Sequence, residues 1–376
     1  MRIAHFCDSF AGRPDGVSRS AALTVGLLRA AGFEVDFYEP GRVRSVPLPG
    51  RQLRVASPWF RCEPADVVHV HTCGPIGMTG FRMAERWRVP LVVTWHTDLV
   101  AYGDTFPEIP IGASWCAWRL RLGWTPSEFL ELARAGPARR ARLVVLGQGM
   151  FARMAVAIAP SDKTAAGFRE FATAAGLPRI CVLPTPVEAA EPREPGRRGD
   201  VVLSVGRATA EKNPALLLDA FGLLRRDRPG ARLVLLGVRQ GRAGLARRIA
   251  AAGLAGHVDV LPPVPREEVA IHYRAADVLA FASTTDTQSL VLAEAEAIGL
   301  PVVVADPALG SRPGGGPPRF TCAPTAPALA AALDRMLDDD DLRTRVVAEG
   351  LTATRAYPPE VYLARLAELY RTTIGS

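Results

Sequence analysis

The sequence predicts an α/β protein built from two doubly wound domains in tandem. Three observations carry that expectation. Short β-rich runs alternate with amphipathic stretches, the alternation restarts after residue 200, and the segment between mixes Pro and Gly with charge. The length of 376 residues suits two domains, each able to bury a core. An apolar share of 48% with 22% charged residues excludes wholesale disorder.

In chain order, strands are expected over 2–7, 34–38, 67–71, 91–95, 155–159 and 180–183, with helices over 18–31 and 79–88. The second series of strands covers 201–205, 233–236, 258–261, 278–282 and 302–305. Helices over 215–226, 245–252, 267–275 and 290–298 alternate with it. The segment 184–200 reads as a linker, and a last helix over 360–372 follows Tyr357-Pro358-Pro359. The expected domains are therefore 1–187 and 188–357, with a closing helix, 358–376, packed back on the first. Two such open sheets facing one another leave a cleft lined by strand C-termini, where ligands bind.

Composition narrows the function classes. The apolar stretch 143–159 contains Gln148 and Arg153 and is too short and polar to span a bilayer. The start MRIAHFCDSF lacks the apolar core of a secretory signal, and the six cysteines form no CxxC pair, so a reduced cytoplasmic protein is expected. The basic residues are 43 Arg and only 2 Lys, Lys163 and Lys212. Of the net charge of +7, residues 1–190 carry +6 (22 basic, 16 acidic) and 191–376 carry +1 (23 basic, 22 acidic). The Arg residues are scattered without a basic run, so nucleic acid is not expected as a partner, whereas an anionic small molecule or membrane surface is compatible.

Two segments carry the chemistry. In VLSVGRATAEKNPALLLDAF, 202–221, a buried strand ends at Gly206 and Asn213-Pro214 opens a helix. Arg207 and Lys212 flank that strand end, as a diphosphate leaving group requires, although two solvated cations would read the same way. In FASTTDTQSLVLAEAEAIGLPVVVAD, 281–306, a polar turn holds Asp286 and a helix starts near Ser289 or Leu290. Backbone N–H groups at that start suit an anion or sugar hydroxyls, and Asp286 and Glu294 suit vicinal diols. The plainer alternative is a capped helix with a surface Glu.

Together the segments resemble the C-terminal half of retaining GT-B glycosyltransferases, specifically glycosyltransferase family 4. The residues are Gly206-Arg207…Glu211-Lys212, Asp286…Glu294-Ala295 and Gly299-Leu300-Pro301-Val302, with RLVLLG and HVDVLPPVPREEVAIHYRAADVLAFAS between them in order. In the first half the likeness rests on Gly16-Val17, DVVHVHT (66–72), VVTWHTD (92–98) and IAPSDKT (158–164). It implies two Rossmann-like domains, a nucleotide-sugar donor, a hydroxyl acceptor, retention of configuration and no metal or other cofactor. It assigns Arg207 and Lys212 to the donor diphosphate and Glu294 to the ribose. Asp286 and the amides at Thr287, Gln288, Ser289 and Leu290 would hold the donor sugar. Gly16 would admit the phosphate, and His96 would stand beside the transferred sugar.

The sequence departs from the family at Asp286, where Glu is usual, and at Ser289, where Gly is usual. It also departs at Pro184-Thr185-Pro186 and over 310–318. These changes bear on the sugar more than on the reaction. The implied activity is transfer of a hexose-type sugar from a UDP- or GDP-sugar to a lipid, glycolipid or small natural product. The alternatives from other classes are a nucleotide-sugar epimerase of similar two-lobed fold and a non-enzymatic bilobal binding protein.

The remaining motifs are weighed on their residues. His69 and His71 alternate on one strand face but lack a supporting carboxylate or cysteine, so no metal site is expected. His5, His257 and His272 read as structural. Gly147-Gln148-Gly149 is a weak dinucleotide fingerprint followed at once by a strand, and Asp338–Asp341 reads as a helix cap. All six Trp lie in the first half. Trp115 and Trp118 share a helix face, suited to core packing first, and otherwise to an acceptor sugar ring or a lipid interface. The nearby Arg119, Arg121, Arg134, Arg139, Arg140 and Arg142 suit an anionic membrane at its inner face or a phosphorylated acceptor.

Overall fold

The computed structural model describes residues 1–10, 15–47, 54–106, 108–188, 190–193 and 199–375. The chain divides into two compact units, Met1–Thr185 with Glu360–Ser376, and Pro186–Pro359. Of the expected linker 184–200, residues 189 and 194–198 lie outside the described ones.

The first unit runs β1 (Arg2–Phe6), α1 (Gly16–Ala30), β2 (Glu34–Tyr38), β3 (Ser45–Pro47), β4 (Arg54–Ala56), β5 (Val67–Val70), α2 (Pro75–Trp87) and β6 (Leu91–Thr94). It continues through α3 (Leu99–Tyr102), α4 (Glu108–Arg119), α5 (Pro126–Ala133), α6 (Pro137–Phe151), β7 (Val156–Ala159), α7 (Asp162–Gly167) and β8 (Arg179–Val182). Strands β5, β6 and β7 are buried at every position, as strands covered on both faces must be. Among the described residues the main sheet is parallel, in the order β2-β1-β5-β6-β7-β8, beside a β3–β4 ribbon.

The second unit runs β9 (Val201–Val205), α8 (Pro214–Asp227), β10 (Arg232–Leu236), α9 (Arg242–Ala251), β11 (Val258–Leu261), α10 (Arg266–Ala275), β12 (Val278–Phe281), α11 (Leu290–Ile298) and β13 (Val302–Val304). Helices α12 (Ala326–Asp338) and α13 (Asp340–Ala356) complete it, and α14 (Pro359–Ile374) closes the chain. Its parallel sheet has the order β11-β10-β9-β12-β13. That order reverses between β9 and β12, and in the first unit between β1 and β5. Ligands of doubly wound sheets bind at the strand C-termini beside such reversals.

Strands 34–38, 201–205 and 258–261 coincide with expectation, and the others differ by a residue or two at their ends. The β3–β4 ribbon was not expected, and the helical insertion α3–α6 was foreseen only at its Trp-bearing face. The apolar stretch 143–159 divides between α6 and β7. A Cβ on Gly147 would lie 2.3 Å from the Phe171 ring, and one on Gly149 would lie 2.6 Å from Leu122. Both glycines therefore serve close helix packing and no dinucleotide. Asp339 caps α13, its carboxylate accepting from Leu342 N at 2.8 Å. Among the described residues no helix is long and apolar enough to cross a membrane.

Candidate active site

Arg207, Lys212 and Asp286 lie beside the β9/β12 reversal, with Lys212 paired to Asp286. Residue Gly206 ends β9 with φ +151°, and Gly237, after β10, has φ +101°. A Cβ on Gly237 would lie 3.0 Å from the Gly206 carbonyl oxygen, so both strand ends stay bare of side chains there. An open recess of about 410 Å³ lies beside them, lined by residues including Arg207, Lys212, Pro214, Phe281 and Ser283.

Two hydroxyls tie the two motif segments together. Ser283 Oγ donates to the Glu211 carbonyl at 2.7 Å, and Thr285 Oγ1 donates to the same oxygen at 3.3 Å. This places the Lys212 ammonium 2.7 Å from each oxygen of the buried Asp286 carboxylate. The ammonium also lies 5.9 Å from the centre of the Phe281 ring. Arg207 is half exposed and pairs with the buried Glu211 at 3.0 Å, while Thr209 Oγ1 donates to the same Glu211 oxygen. Each cation thus already has a carboxylate partner, which sequence reasoning did not anticipate.

Helix α11 starts at Leu290, and among the described residues its N-cap Ser289 makes no side-chain cap bond, so the helix start carries a partial positive charge. Ser289 precedes it at φ +63°, ψ +99°, a region sparsely populated by non-glycine residues. That geometry explains physically why glycine is the unstrained choice at this position. One turn into α11, Glu294 Oε2 accepts from the Tyr273 hydroxyl at 3.0 Å. Tyr273 is buried on α10 and had no signal in the sequence.

The next turn of α11 carries a second unforeseen feature. The buried Glu296 is held by Arg312 Nε at 2.9 Å and by Arg319 Nη2 at 2.8 Å. The stretch 310–318 is thus anchored to the helix that bears Glu294.

In the first unit Gly16 is the first residue of α1, and Asp15 caps that helix by accepting from Ser18 N at 2.8 Å. A Cβ on Gly16 would meet nothing within 4 Å among the described residues, so packing there does not demand glycine. The start of α2, at the β1/β5 reversal, differs from that of α11. Asp8 fills it, accepting from Ile76 N at 2.8 Å, from Gly77 N at 3.0 Å and from Thr72 Oγ1 at 2.7 Å. Burial raises the Asp8 carboxyl above its ordinary range, and these bonds oppose the rise.

His96 follows β6, its Nε2 lying 3.4 Å from His71 Nδ1, and burial lowers its pKa to about 4. His69 and His71 are joined by His5 from β1, all three fully buried with their ligand atoms within 4.8 Å. His5 stands opposite His69 in the β1–β5 register, which the sequence alone did not reveal. All six ring nitrogens of these three residues are in hydrogen bonds, so a metal would have to displace them.

Trp115 and Trp118 do share a face of α4, with the Arg119 guanidinium 5.7 and 6.0 Å from their rings. They diverge in environment: Trp115 packs against the core, whereas Trp118 is 65% exposed.

Residues 14–191 match the family Glycosyltransferase Family 4, and residues 188–351 match Glycosyl transferases group 1. A D-inositol 3-phosphate glycosyltransferase from Xylanimonas cellulosilytica is 32% identical over 81% of this chain and 71% of its own length. One from Jonesia denitrificans is 30% identical over 69% of this chain, which spans 61% of that relative. An alpha-monoglucosyldiacylglycerol synthase from Acholeplasma laidlawii is 26% identical over 64% of this chain and 58% of its own. The fold matches sucrose-phosphate synthase from Thermosynechococcus elongatus with a TM-score of 0.70 at 17% identity, over 100% of this chain and 99% of that one. It also matches Anabaena HepE, solved in complex with UDP-glucose, with a TM-score of 0.67 at 16% identity over 99% and 100% of the two chains. With both halves matched in order and two Rossmann-like units of the GT-B kind, the chain belongs to glycosyltransferase family 4.

Proposed function

We propose that the chain transfers a hexose-type sugar from a UDP- or GDP-sugar to a hydroxyl acceptor, with retention of anomeric configuration and without a metal. The observation that carries this reading is the meeting of Lys212 and Asp286 at the β9/β12 reversal, beside the start of α11. A diphosphate there meets Lys212, the movable Arg207 and the α11 N–H groups at Ser289 and Leu290. Asp286 and the turn at Thr287 and Gln288 accept and donate to the sugar hydroxyls, and Glu294, oriented by Tyr273, holds the ribose. Residue Gly16 leaves room for the phosphate, and His96 acts on the transferred sugar.

In the reaction the bond from the anomeric carbon to the diphosphate breaks first, and its electron pair stays on the phosphate oxygen. Preorganised cations and helix N–H groups absorb that charge, the largest single effect expected in such chemistry. The acceptor hydroxyl then attacks the oxocarbenium-like sugar from the face the phosphate leaves. Its proton passes to the departing phosphate oxygen, so no separate base is required.

For the acceptor, the net charge of +6 over residues 1–190 supports an anionic molecule, and the relatives' names point to a phosphorylated polyol or a diacylglycerol. Exposed Trp118 with Arg119 and Arg121 supports a peripheral contact with an anionic membrane surface on the cytoplasmic side. The test is a thermal-shift panel of UDP, GDP, dTDP and ADP with their sugars, followed by turnover with inositol phosphate and with diacylglycerol, each with and without a chelator. A ligand that binds only the folded state raises its melting temperature. Stabilisation by one nucleotide, a product of unchanged anomeric configuration and indifference to chelator support the reading. Inverted product or loss of turnover in chelator contradicts it.

A further inference from the structure

The His cluster of the first unit forms one continuous chain of hydrogen bonds. Thr94 Oγ1 lies 2.7 Å from His69 Nε2, and His69 Nδ1 lies 2.6 Å from the Tyr370 hydroxyl on α14. The Tyr370 oxygen lies 3.5 Å from His5 Nε2, and His5 Nδ1 lies 2.9 Å from His71 Nε2. His71 Nδ1 then reaches His96 Nε2 at 3.4 Å. The rings support one another by stacking, with His69–His71 centroids 4.3 Å apart and those of His71–His96 5.6 Å apart.

A neutral imidazole has one N–H donor and one bare acceptor nitrogen. Burial pushes His5, His69 and His71 well below their ordinary range and His96 to about 4, so all four are neutral at pH 7. Each inner ring uses both nitrogens in the chain, so each donates through one and accepts through the other. The fully buried Tyr370 must likewise give its one O–H to a neighbouring ring, so the sense runs the same way throughout. Either every ring carries its proton on Nδ1, or every ring carries it on Nε2.

The far end decides between them. Thr94 is buried, and among the described residues the one hydrogen bond of its hydroxyl is to His69 Nε2. If His69 Nε2 carried the proton, the Thr94 O–H would be buried without an acceptor, which is unfavourable. Thr94 therefore donates, His69 Nε2 is bare, and each following donor is a Tyr370 hydroxyl or an Nδ1–H.

We propose that Thr94, His69, Tyr370, His5 and His71 are positioning residues that lock His96 as its Nδ1–H tautomer, making it a hydrogen-bond donor and not a base. The inference deepens the reading above, on which the functional meaning of His96 rests. In that setting His96 Nδ1 donates to a sugar or acceptor oxygen, while the reacting hydroxyl's proton goes to phosphate.

The test is long-range ¹H–¹⁵N correlation spectroscopy of the full chain labelled at histidine, near pH 7. The expected spectrum shows Nδ1–H with bare Nε2 at His5, His69, His71 and His96. Tyr370→Phe keeps the ring but cuts the chain, and it is expected to turn His96 into a mixture containing Nε2–H. Thr94→Val acts at the other end and should do the same, while Thr94→Ser restores the wild-type pattern. His96 as Nε2–H in the wild type, or unmoved by both breaking variants, overturns the proposal. Turnover of His96→Gln, read separately, tests the catalytic reading: full activity beside the expected tautomers rejects the role of His96 and leaves the chain standing.

Discussion

The Lys212 ammonium lies 2.7 Å from both carboxylate oxygens of Asp286, although the two residues stand 74 positions apart in sequence. The pair joins the two motif segments at one corner. It also makes Lys212 the wrong residue for a clean test, since Lys212→Ala strands a buried carboxylate and breaking such a pair typically destabilises by about 3–5 kcal/mol. Arg207 is half exposed but pairs with the buried Glu211, whose carboxylate keeps the Thr209 hydroxyl, so Arg207→Ala is expected to lose less stability than Lys212→Ala. Its turnover should fall by about 10²–10³, the usual loss for one preorganised charge at a developing anion. Steady-state rates beside melting curves check both halves, and undiminished turnover removes Arg207 from the donor site.

The carboxylates on either side of α11 should separate by ligand. Glu294→Gln is expected to weaken free UDP or GDP and the intact donor equally. Asp286→Asn should weaken the sugar-bearing donor more than the free nucleotide. Tyr273→Phe removes one bond to Glu294 and should lose about twofold to tenfold in nucleotide affinity, in line with about 0.5–1.5 kcal/mol per hydrogen bond. Calorimetric titration with both ligands decides. Equal losses for both in every variant refute the division.

Much of this was legible in the sequence, and the limits follow one physical line. Strands such as 278–281 and 302–304 announce themselves because both faces are covered and the run is apolar throughout. Gly206-Arg207, Lys212 and the 286–294 segment were legible because backbone geometry and charge at a strand end are local properties. Their pairing was not local. Nothing in the chain near Lys212 indicates Asp286, nor does anything near Glu294 indicate Tyr273. The two-residue alternation put His69 and His71 on one face, but His5 joins them only through the β1–β5 register. The Glu296 cluster with Arg312 and Arg319 was missed for the same reason, since an irregular loop supplies both cations.

That cluster gives a stability prediction. Glu296→Ala leaves two buried guanidinium groups without their shared carboxylate and should destabilise the protein by about 3–5 kcal/mol. Urea unfolding measures it. A loss below about 1 kcal/mol would mean that the 310–318 loop is not held by this pairing.

Ser289 gives one of opposite sign. Its φ of +63° with ψ of +99° stores strain of order 1–3 kcal/mol that glycine does not incur. Glycine adds about 0.4–1 kcal/mol of unfolded-state entropy, so Ser289→Gly should stabilise the fold by about 1 kcal/mol net. A lower melting temperature would show that the serine side chain makes a contact worth more than the strain.

The neutral histidines set an acid limit. Unfolded histidines take up protons near pH 6.5, whereas folded His96 does so only near 4, and His5, His69 and His71 lie well below their ordinary value. Between about pH 6.5 and 4 the unfolded chain binds more protons, so stability falls as pH falls, by about 1.4 kcal/mol per unit for His96, with His5, His69 and His71 adding in the same direction. Above about pH 6.5 both states are neutral at these positions and the effect vanishes. Asp8, with its raised carboxyl, acts in the opposite sense, as does the field of Asp15 at His96, while Arg29 reinforces the trend at His5. Urea unfolding at pH 7, 6 and 5 should show a steepening loss, and a flat profile contradicts it.

The central claim is that the corner formed by Lys212 and Asp286 binds a nucleoside diphosphate sugar. Its most direct test is isothermal titration of the wild type and Asp286→Asn with UDP, UDP-glucose, GDP and GDP-mannose. One nucleotide series should bind the wild type, with the sugar-bearing member losing about tenfold or more in Asp286→Asn while the free diphosphate changes little. Absence of binding by every nucleotide and sugar nucleotide, or identical affinities for Asp286→Asn and wild type across the binding series, would contradict the account.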